Sequence, residues 1–257
     1  MTEEIFVYFI GTAGSGKSSL SASFQQWFTQ QGLNATSVNL DPGAENLPYE
    51  PDVDIRDWIS LREVMETNEL GPNGAQIACA DMIALNTEDV KKSIELFKSD
   101  YIFVDTPGQL ELFVFRESGK YTVEFFNPKK TMICYLLDPI LARTASGFVS
   151  QLLLSITTNF RLNQPQINVL SKSDLLSQKD IEIVQKWSES TEEIQGAITL
   201  EEPSIYREMS EGLSRLIQEF GGHTQLIPTS THELYGIEDI YTAIQLQFKG
   251  GEDLLKD

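Results

Sequence analysis

Apolar residues in this chain gather into short continuous runs bounded by Gly, Asp or Asn, and the longer stretches between them repeat at helical spacing. Six runs stand out: Ile5 to Ile10, Ala35 to Leu40, Tyr101 to Val104, Thr131 to Leu137, Gln166 to Leu170 and Gln225 to Ile227. A run without polar alternation suits a strand covered on both faces, as strands of a parallel sheet are. The stretches between read as crossover helices, such as Ser18 to Gln31, closed by Gly32 where helices favour glycine. This alternation predicts an α/β fold with one doubly wound, mostly parallel sheet. Ser177-Gln178-Lys179-Asp180 has the shape of a capping box and predicts a helix ending near Gln195-Gly196. A second helix is predicted from Ser204 to Phe220, with Leu213, Leu216, Ile217 and Phe220 on one face. Together they make residues 177–222 a helical insertion. The stretch from Ala44 to about Asn86, rich in proline and acid, fits the alternation poorly and reads as an insertion at the sheet edge, with a helix from Trp58 to Glu66. Residues from Gly250 to Asp257 are expected to form a loose tail.

At 257 residues the chain is long enough for one large α/β domain with a sizeable core. Nineteen Lys plus Arg against thirty-eight Asp plus Glu leave a net charge of −19, which repels phosphate backbones and anionic lipid alike. Neither nucleic acid nor membrane is therefore an expected partner. No apolar run approaches the ~20 residues of a membrane span. The opening Met1-Thr2-Glu3-Glu4 is acidic where a signal peptide needs positive charge, which points to the cytoplasm. Cys79 and Cys134, the two cysteines, have no metal or redox spacing and read as core filler.

Chemistry enters at Gly11-Thr12-Ala13-Gly14-Ser15-Gly16-Lys17-Ser18, which matches G-x-x-x-x-G-K-[ST] after a strand and before a helix. The backbone N–H groups of Gly11, Ala13, Gly14, Ser15 and Gly16 would curl around a phosphate at the helix N-terminus, with Ser19 just beyond. Lys17 would bridge β- and γ-phosphates, and the Ser18 hydroxyl would ligate Mg²⁺.

The run Tyr101 to Val104 leads into Asp105-Thr106-Pro107-Gly108-Gln109. Asp105 stands where a carboxylate at the sheet's carboxyl edge holds the shell of Mg²⁺. Gly108 would set its N–H against a γ-phosphate, and Gln109 has the spacing of a residue that orients attacking water. Glu111 would join that water network. Asn39-Leu40-Asp41-Pro42 closes the second strand and brings another carboxylate to the same edge, where Asp41 would take a proton from water or serve the metal.

Downstream, Ser171-Lys172-Ser173-Asp174 resembles the N/T-K-x-D element of GTPases, with Ser in place of Asn or Thr. The Asp174 oxygens would accept the N1–H and N2–H₂ donors of guanine, donors adenine does not have in that arrangement. Lys172 would lay its stem along the base. Ser230, in Pro228-Thr229-Ser230-Thr231, is expected to donate a backbone N–H to guanine O6.

Taken in order, Gly11 to Ser18, Asp41-Pro42, Gly71-Pro72-Asn73, Asp105 to Glu111 and Ser171 to Asp174 make the chain resemble the GPN-loop GTPases over nearly its whole length. The resemblance implies one P-loop GTPase domain over 1–257, with Gly71, Pro72 and Asn73 as a namesake loop carried by the 44–86 insertion. It further implies a homodimer in which Asn73 reaches the partner's phosphate site, GTP and GDP as substrate and product, and a protein client, related to RNA polymerase in eukaryotic members. Thr12 stands where MinD-type ATPases carry a second lysine, which separates the chain from that group. Two other classes compete: a P-loop phosphotransferase, for which Arg116 and Arg143 are the available arginines, and an interaction module with little turnover.

Overall fold

The computed structural model describes residues 4–219 and 226–250. Seven strands form one sheet: β1 (Ile5–Gly11), β2 (Ala35–Asn39), β3 (Val53–Asp54), β4 (Tyr101–Asp105), β5 (Thr131–Leu137), β6 (Gln166–Leu170) and β7 (Leu226–Pro228). Their order is β3-β2-β4-β1-β5-β6-β7, and every pairing is parallel. Because side chains alternate across a strand, the unbroken apolar run of β1 feeds two cores at once. Phe6, Tyr8 and Ile10 enter the core on one face; Ile5, Val7 and Phe9 enter the other. The second core is aromatic, with Phe28 edge-on to Tyr101 and Phe103 at 4.9 and 4.8 Å between ring centroids.

Nine helices are described: α1 (Lys17–Gln30), α2 (Leu61–Thr67), α3 (Pro72–Glu95), α4 (Glu117–Phe126), α5 (Ala145–Leu162), α6 (Gln178–Glu189), α7 (Thr191–Leu200), α8 (Ile205–Glu219) and α9 (Ile237–Lys249). The capping box at Ser177 forms as expected, with the Ser177 hydroxyl accepting from Asp180 N and Asp180 accepting from Ser177 N. The helix it starts is shorter than predicted. Ser190 is extended at φ −135°, ψ 121°, ends α6, and caps α7 by accepting from Glu193 N at 3.3 Å. The sequence signal for this break is Ser190-Thr191-Glu192-Glu193, itself of capping-box shape. Phe220 to Gln225 lie outside the described residues, as do 251–257 of the expected tail.

The 44–86 stretch departs most from expectation. Val53–Asp54 joins the sheet as its edge strand, and the predicted helix starts instead at Leu61, after Ser60 accepts from Glu63 N. Gly71-Pro72-Asn73-Gly74 is no free turn: Gly71 is the N-cap of a 24-residue helix with Pro72 at its head. Proline suits that position because its missing N–H has no helical partner there anyway. The boundary near Asn86 falls within α3, whose buried Cys79, Ile83, Val90 and Ile94 tie it to the main core.

Candidate phosphate and base site

The P-loop and the motifs at Asp41, Asp105 and Asp174 each follow the carboxyl end of a strand. Strand β1 hands the chain to the loop 12–16, where Gly14 and Gly16 take positive φ of 76° and 96°. A side chain at either would be strained, which is why the motif spends glycines here. At Gly11 the constraint is contact instead: a Cβ would stand 2.8 Å from Leu136 O.

Lys17 is only 5% exposed, and its Nζ donates to the carbonyls of Gly11, Thr12 and Gly108, each at 3.0 Å. It thus binds the phosphate loop to the loop that follows β4. Burial pushes its ammonium below its ordinary pKa, while Asp105 and Asp41 pull it back up. Asp105 ends β4 and is 1% exposed. Burial raises its pKa to about 6, against the lowering pull of the Ser18 hydroxyl, Lys17 and Tyr49. The Tyr49 hydroxyl donates to Asp105 Oδ2 at 3.2 Å, whereas Oδ1 is buried with no hydrogen-bond partner.

Asp41 lies across from Gly108. Its Oδ2 accepts the Gly108 N–H at 2.8 Å and its Oδ1 the Gly43 N–H at 2.9 Å. The Gly108 donor expected to meet a phosphate is therefore engaged by a carboxylate of the same chain. Gln109 and Glu111 are exposed, either side of Leu110 in a short 3₁₀ turn over Leu110–Leu112. Gly71, Pro72 and Asn73 are exposed at the head of α3, and one turn on Gln76 approaches Gly43. Tyr49, Asn39, Asp54 and Arg56 also converge here and were not foreseen. Only Asn39 carries a sequence signal, being a polar residue inside an apolar strand.

At the other end of the site, Ser171 is buried; its hydroxyl donates to Ser15 O at 2.6 Å and its N–H to Leu137 O at 3.2 Å. The serine that replaces Asn or Thr in this motif thereby ties the base loop to the phosphate loop. Lys172 adopts φ 49°, reaches Gly14 O at 2.6 Å and passes its stem beside Gly16. Asp174 Oδ1 accepts the Ser230 hydroxyl at 2.7 Å, and that hydroxyl accepts in turn from the N–H groups of His232 and Glu233. The expectation for Ser230 needs correcting. Its N–H donates to Tyr235 O at 3.2 Å, a bridge that spends the donor, so Ser230 orients Asp174 through its side chain.

The donor set near Ser18 and Asp105 suits a hard cation: oxygens only, one of them a buried carboxylate oxygen left unpaired. No group of three or more His, Cys, Asp or Glu that could hold a metal occurs among the described residues. An ion here would need phosphate oxygens to complete its shell, as Mg²⁺ commonly does.

Comparison with known proteins follows the same lines. A family model described as a conserved hypothetical ATP binding protein matches residues 9–250. GPN-loop GTPase PAB0955 of Pyrococcus abyssi (strain GE5 / Orsay) is 31% identical over 240 residues, covering 93% of this chain and 95% of its own. GPN-loop GTPase 3 of Saccharomyces cerevisiae is 32% identical over 246 residues, covering 93% and 90%. GPN-loop GTPase 1 of Schizosaccharomyces pombe is 30% identical over 255 residues, covering 95% and 69%. Among solved structures, the apo form of PAB0955, a GTPase from Pyrococcus abyssi, superimposes with a TM-score of 0.85 at 28% identity, over 97% of this chain and 99% of that one.

Proposed function

The chain belongs to the GPN-loop GTPase family, and from that premise we propose that it binds GTP with Mg²⁺ and hydrolyses it to GDP and phosphate as a nucleotide-switched homodimer. The matching family model speaks of ATP, but Asp174 argues for guanine. A half-buried carboxylate held by Ser230 pairs with the two donors on guanine's edge and would be left unpaired against adenine. That single contact carries the choice of substrate.

In the chemical step, the P-loop N–H groups, Lys17 and Ser18 hold the phosphates in line. When bound, Mg²⁺ would offset the negative charge of the phosphates. Ser18 and Asp105 would hold it, Asp105 through the oxygen that has no partner. A γ-phosphate competes with Asp41 for the Gly108 N–H, and Lys17 leaves the Gly108 carbonyl for the phosphates. Asp41 Oδ2 is then free to accept a proton from the attacking water, which Gln109 and Glu111 orient. Asn73 supplies an amide to the partner's site. Its exposure at the rigid head of α3 supports that reading.

The phosphotransferase alternative loses its arginines. Arg116 is paired with Asp81, and Arg143 donates to Leu175 O at 2.8 Å. Neither is poised over the phosphate loop. Leu200, Ile205 and Met209, exposed across the end of α7 and along α8, offer an apolar surface to a protein client. No helix among the described residues is long and apolar enough to cross a membrane. The acidic charge balance and acidic N-terminal residues support a cytoplasmic setting.

Phosphate release measured with GTP alone, and again with small phosphoryl acceptors, tests the activity. Release that depends on an acceptor would return the phosphotransferase reading, and no release at all would leave a binding module. Mixed dimers test the loop. A chain with Asn73→Ala joined to one with Lys17→Ala retains one complete site only if Asn73 acts on the partner, so up to half the native rate is expected. Inactive mixed dimers would confine Asn73 to its own chain.

A further inference from the structure

Three polar residues to which the sequence motifs assign no role close a circuit beside Asp41. Asn39, at the end of β2, is fully buried. Its Oδ1 accepts the Asp41 N–H at 3.0 Å, and its Nδ2 donates to Asp41 O at 3.2 Å and to Asp54 Oδ1 at 2.9 Å. Asp54 ends the neighbouring edge strand, in register with Asn39. Arg56 grips Asp54 from the other side. Its Nε donates to both carboxylate oxygens at 3.0 Å, its Nη2 to Oδ2 at 2.6 Å, and its backbone N–H to Oδ1 at 3.0 Å. The remaining arm, Nη1, donates to Ala44 O at 2.9 Å. Burial alone would raise the Asp54 pKa, but the hydrogen bonds from Arg56 and Asn39 outweigh it and hold the carboxyl below its ordinary value.

The circuit has a definite consequence for the Asp41–Ala44 turn. Asn39 holds the start through the Asp41 backbone, and Arg56 holds the end through the Ala44 carbonyl. Between these anchors the Asp41 side chain is turned toward the N–H groups of Gly43 and Gly108. The guanidinium suits the far anchor because its planar fork grips the carboxylate through Nε and Nη2 while Nη1 reaches the carbonyl, a spread of donors that a lysine's single nitrogen does not reproduce.

We propose that Asn39, Asp54 and Arg56 are positioning residues for GTP hydrolysis, fixing the turn so that the Asp41 carboxylate is aimed at Gly108, and that they govern turnover rather than nucleotide affinity. The inference rests on the catalytic reading of Asp41 given above. None of the three has a hydrogen bond to the P-loop or to the base loop, so the nucleotide's own contacts stand without them.

The test uses the full chain with Arg56→Gln, Arg56→Lys and Asp41→Asn, alone and combined. GDP affinity by calorimetry should stay within about twofold, and single-turnover hydrolysis of bound GTP should fall roughly tenfold or more, since small misplacements of a reacting group have large effects. Arg56→Lys should fail to rescue. Adding Arg56→Gln to Asp41→Asn should cost nothing further, because both act on the same group. A readout free of activity is the Gly108 amide resonance, which should move in Arg56→Gln in the direction it moves in Asp41→Asn. Asp54→Asn, which keeps the shape but removes the charge that holds the guanidinium, replaces Arg56→Gln if that variant does not fold. A native rate in Arg56→Gln beside a slow Asp41→Asn would overturn the clamp alone, as would losses that multiply or a Gly108 resonance that does not move. A native rate in Asp41→Asn would instead refute the catalytic reading of Asp41, and the clamp's effect on turnover with it.

Discussion

The two ends of the site hold their polar groups differently. At the phosphate end, Lys17 is buried among backbone carbonyls, while Asp105 Oδ1 and Ser15 Oγ are buried without hydrogen-bond partners. At the base end, Ser171 donates to two carbonyls, Ser173 meets the Tyr235 hydroxyl at 2.7 Å, and Asp174 is held by a serine that is itself held by two N–H groups. Leaving a buried polar atom unpaired costs about 1–3 kcal/mol, so the phosphate end is incomplete by itself and gains from an anion and a cation. The base end is already assembled and needs only a complementary edge. Binding strength should therefore come mainly from the first, and selectivity from the second.

The largest expected effect breaks selectivity while sparing strength. Asp174→Asn replaces an acceptor with a donor and should move the preference from guanine toward xanthine nucleotides, the ratio changing by up to ~10⁴-fold. Competition titrations with both triphosphates measure it, and an unchanged ratio would mean that Asp174 does not read the base. Next is Lys17→Ala, which should weaken GTP and GDP on the order of 100-fold while leaving the guanine-over-adenine ratio intact. A change in that ratio would show that the two ends are not separable.

Ser230→Ala sharpens the contrast from the base side. Losing a hydrogen bond to a charged carboxylate should weaken guanine nucleotides about tenfold and leave ATP unaffected, as read by calorimetry. The smallest effect concerns pH. Asp105 has its pKa raised to about 6 by burial, so it is ionised above that pH and neutral below it. Mg²⁺ needs the ionised form, so its enhancement of GTP affinity should be full at pH 8, fall by about twofold at pH 6 where half the carboxyls are protonated, and decline further below. Ser230→Ala should not alter this profile. An enhancement that stays flat from pH 8 to pH 5 would remove Asp105 from the metal's shell.

Much of this was legible in the chain. The five predicted strands that lie wholly within the described residues, and the described part of the sixth, are met within a residue at each end, because an unbroken apolar run has no alternative but burial on both faces. The P-loop and the motifs at Asp105 and Asp174 are contiguous, so their spacing alone carried them to the same sheet edge. What escaped was short or lacked a local signal. Val53–Asp54 has two residues in the sheet, too few for a pattern, and α3 was hidden by a Gly-Pro-Asn-Gly opening that reads as a turn until its buried face is known.

The amino-acid sequence alone determines which groups are present and which sheet edge they share, since both follow from local runs and contiguous motifs. Which group holds which was decided only in three dimensions. Gly108 gives its N–H to a carboxylate 67 positions away and its carbonyl to a lysine 91 positions away. Ser230 turned its hydroxyl, not its N–H, to the base-reading end, because Tyr235 had taken the donor. Each donor serves the acceptor that folding brings nearest, and burial leaves it no water to choose instead; that competition among distant partners has no trace in the order of the residues.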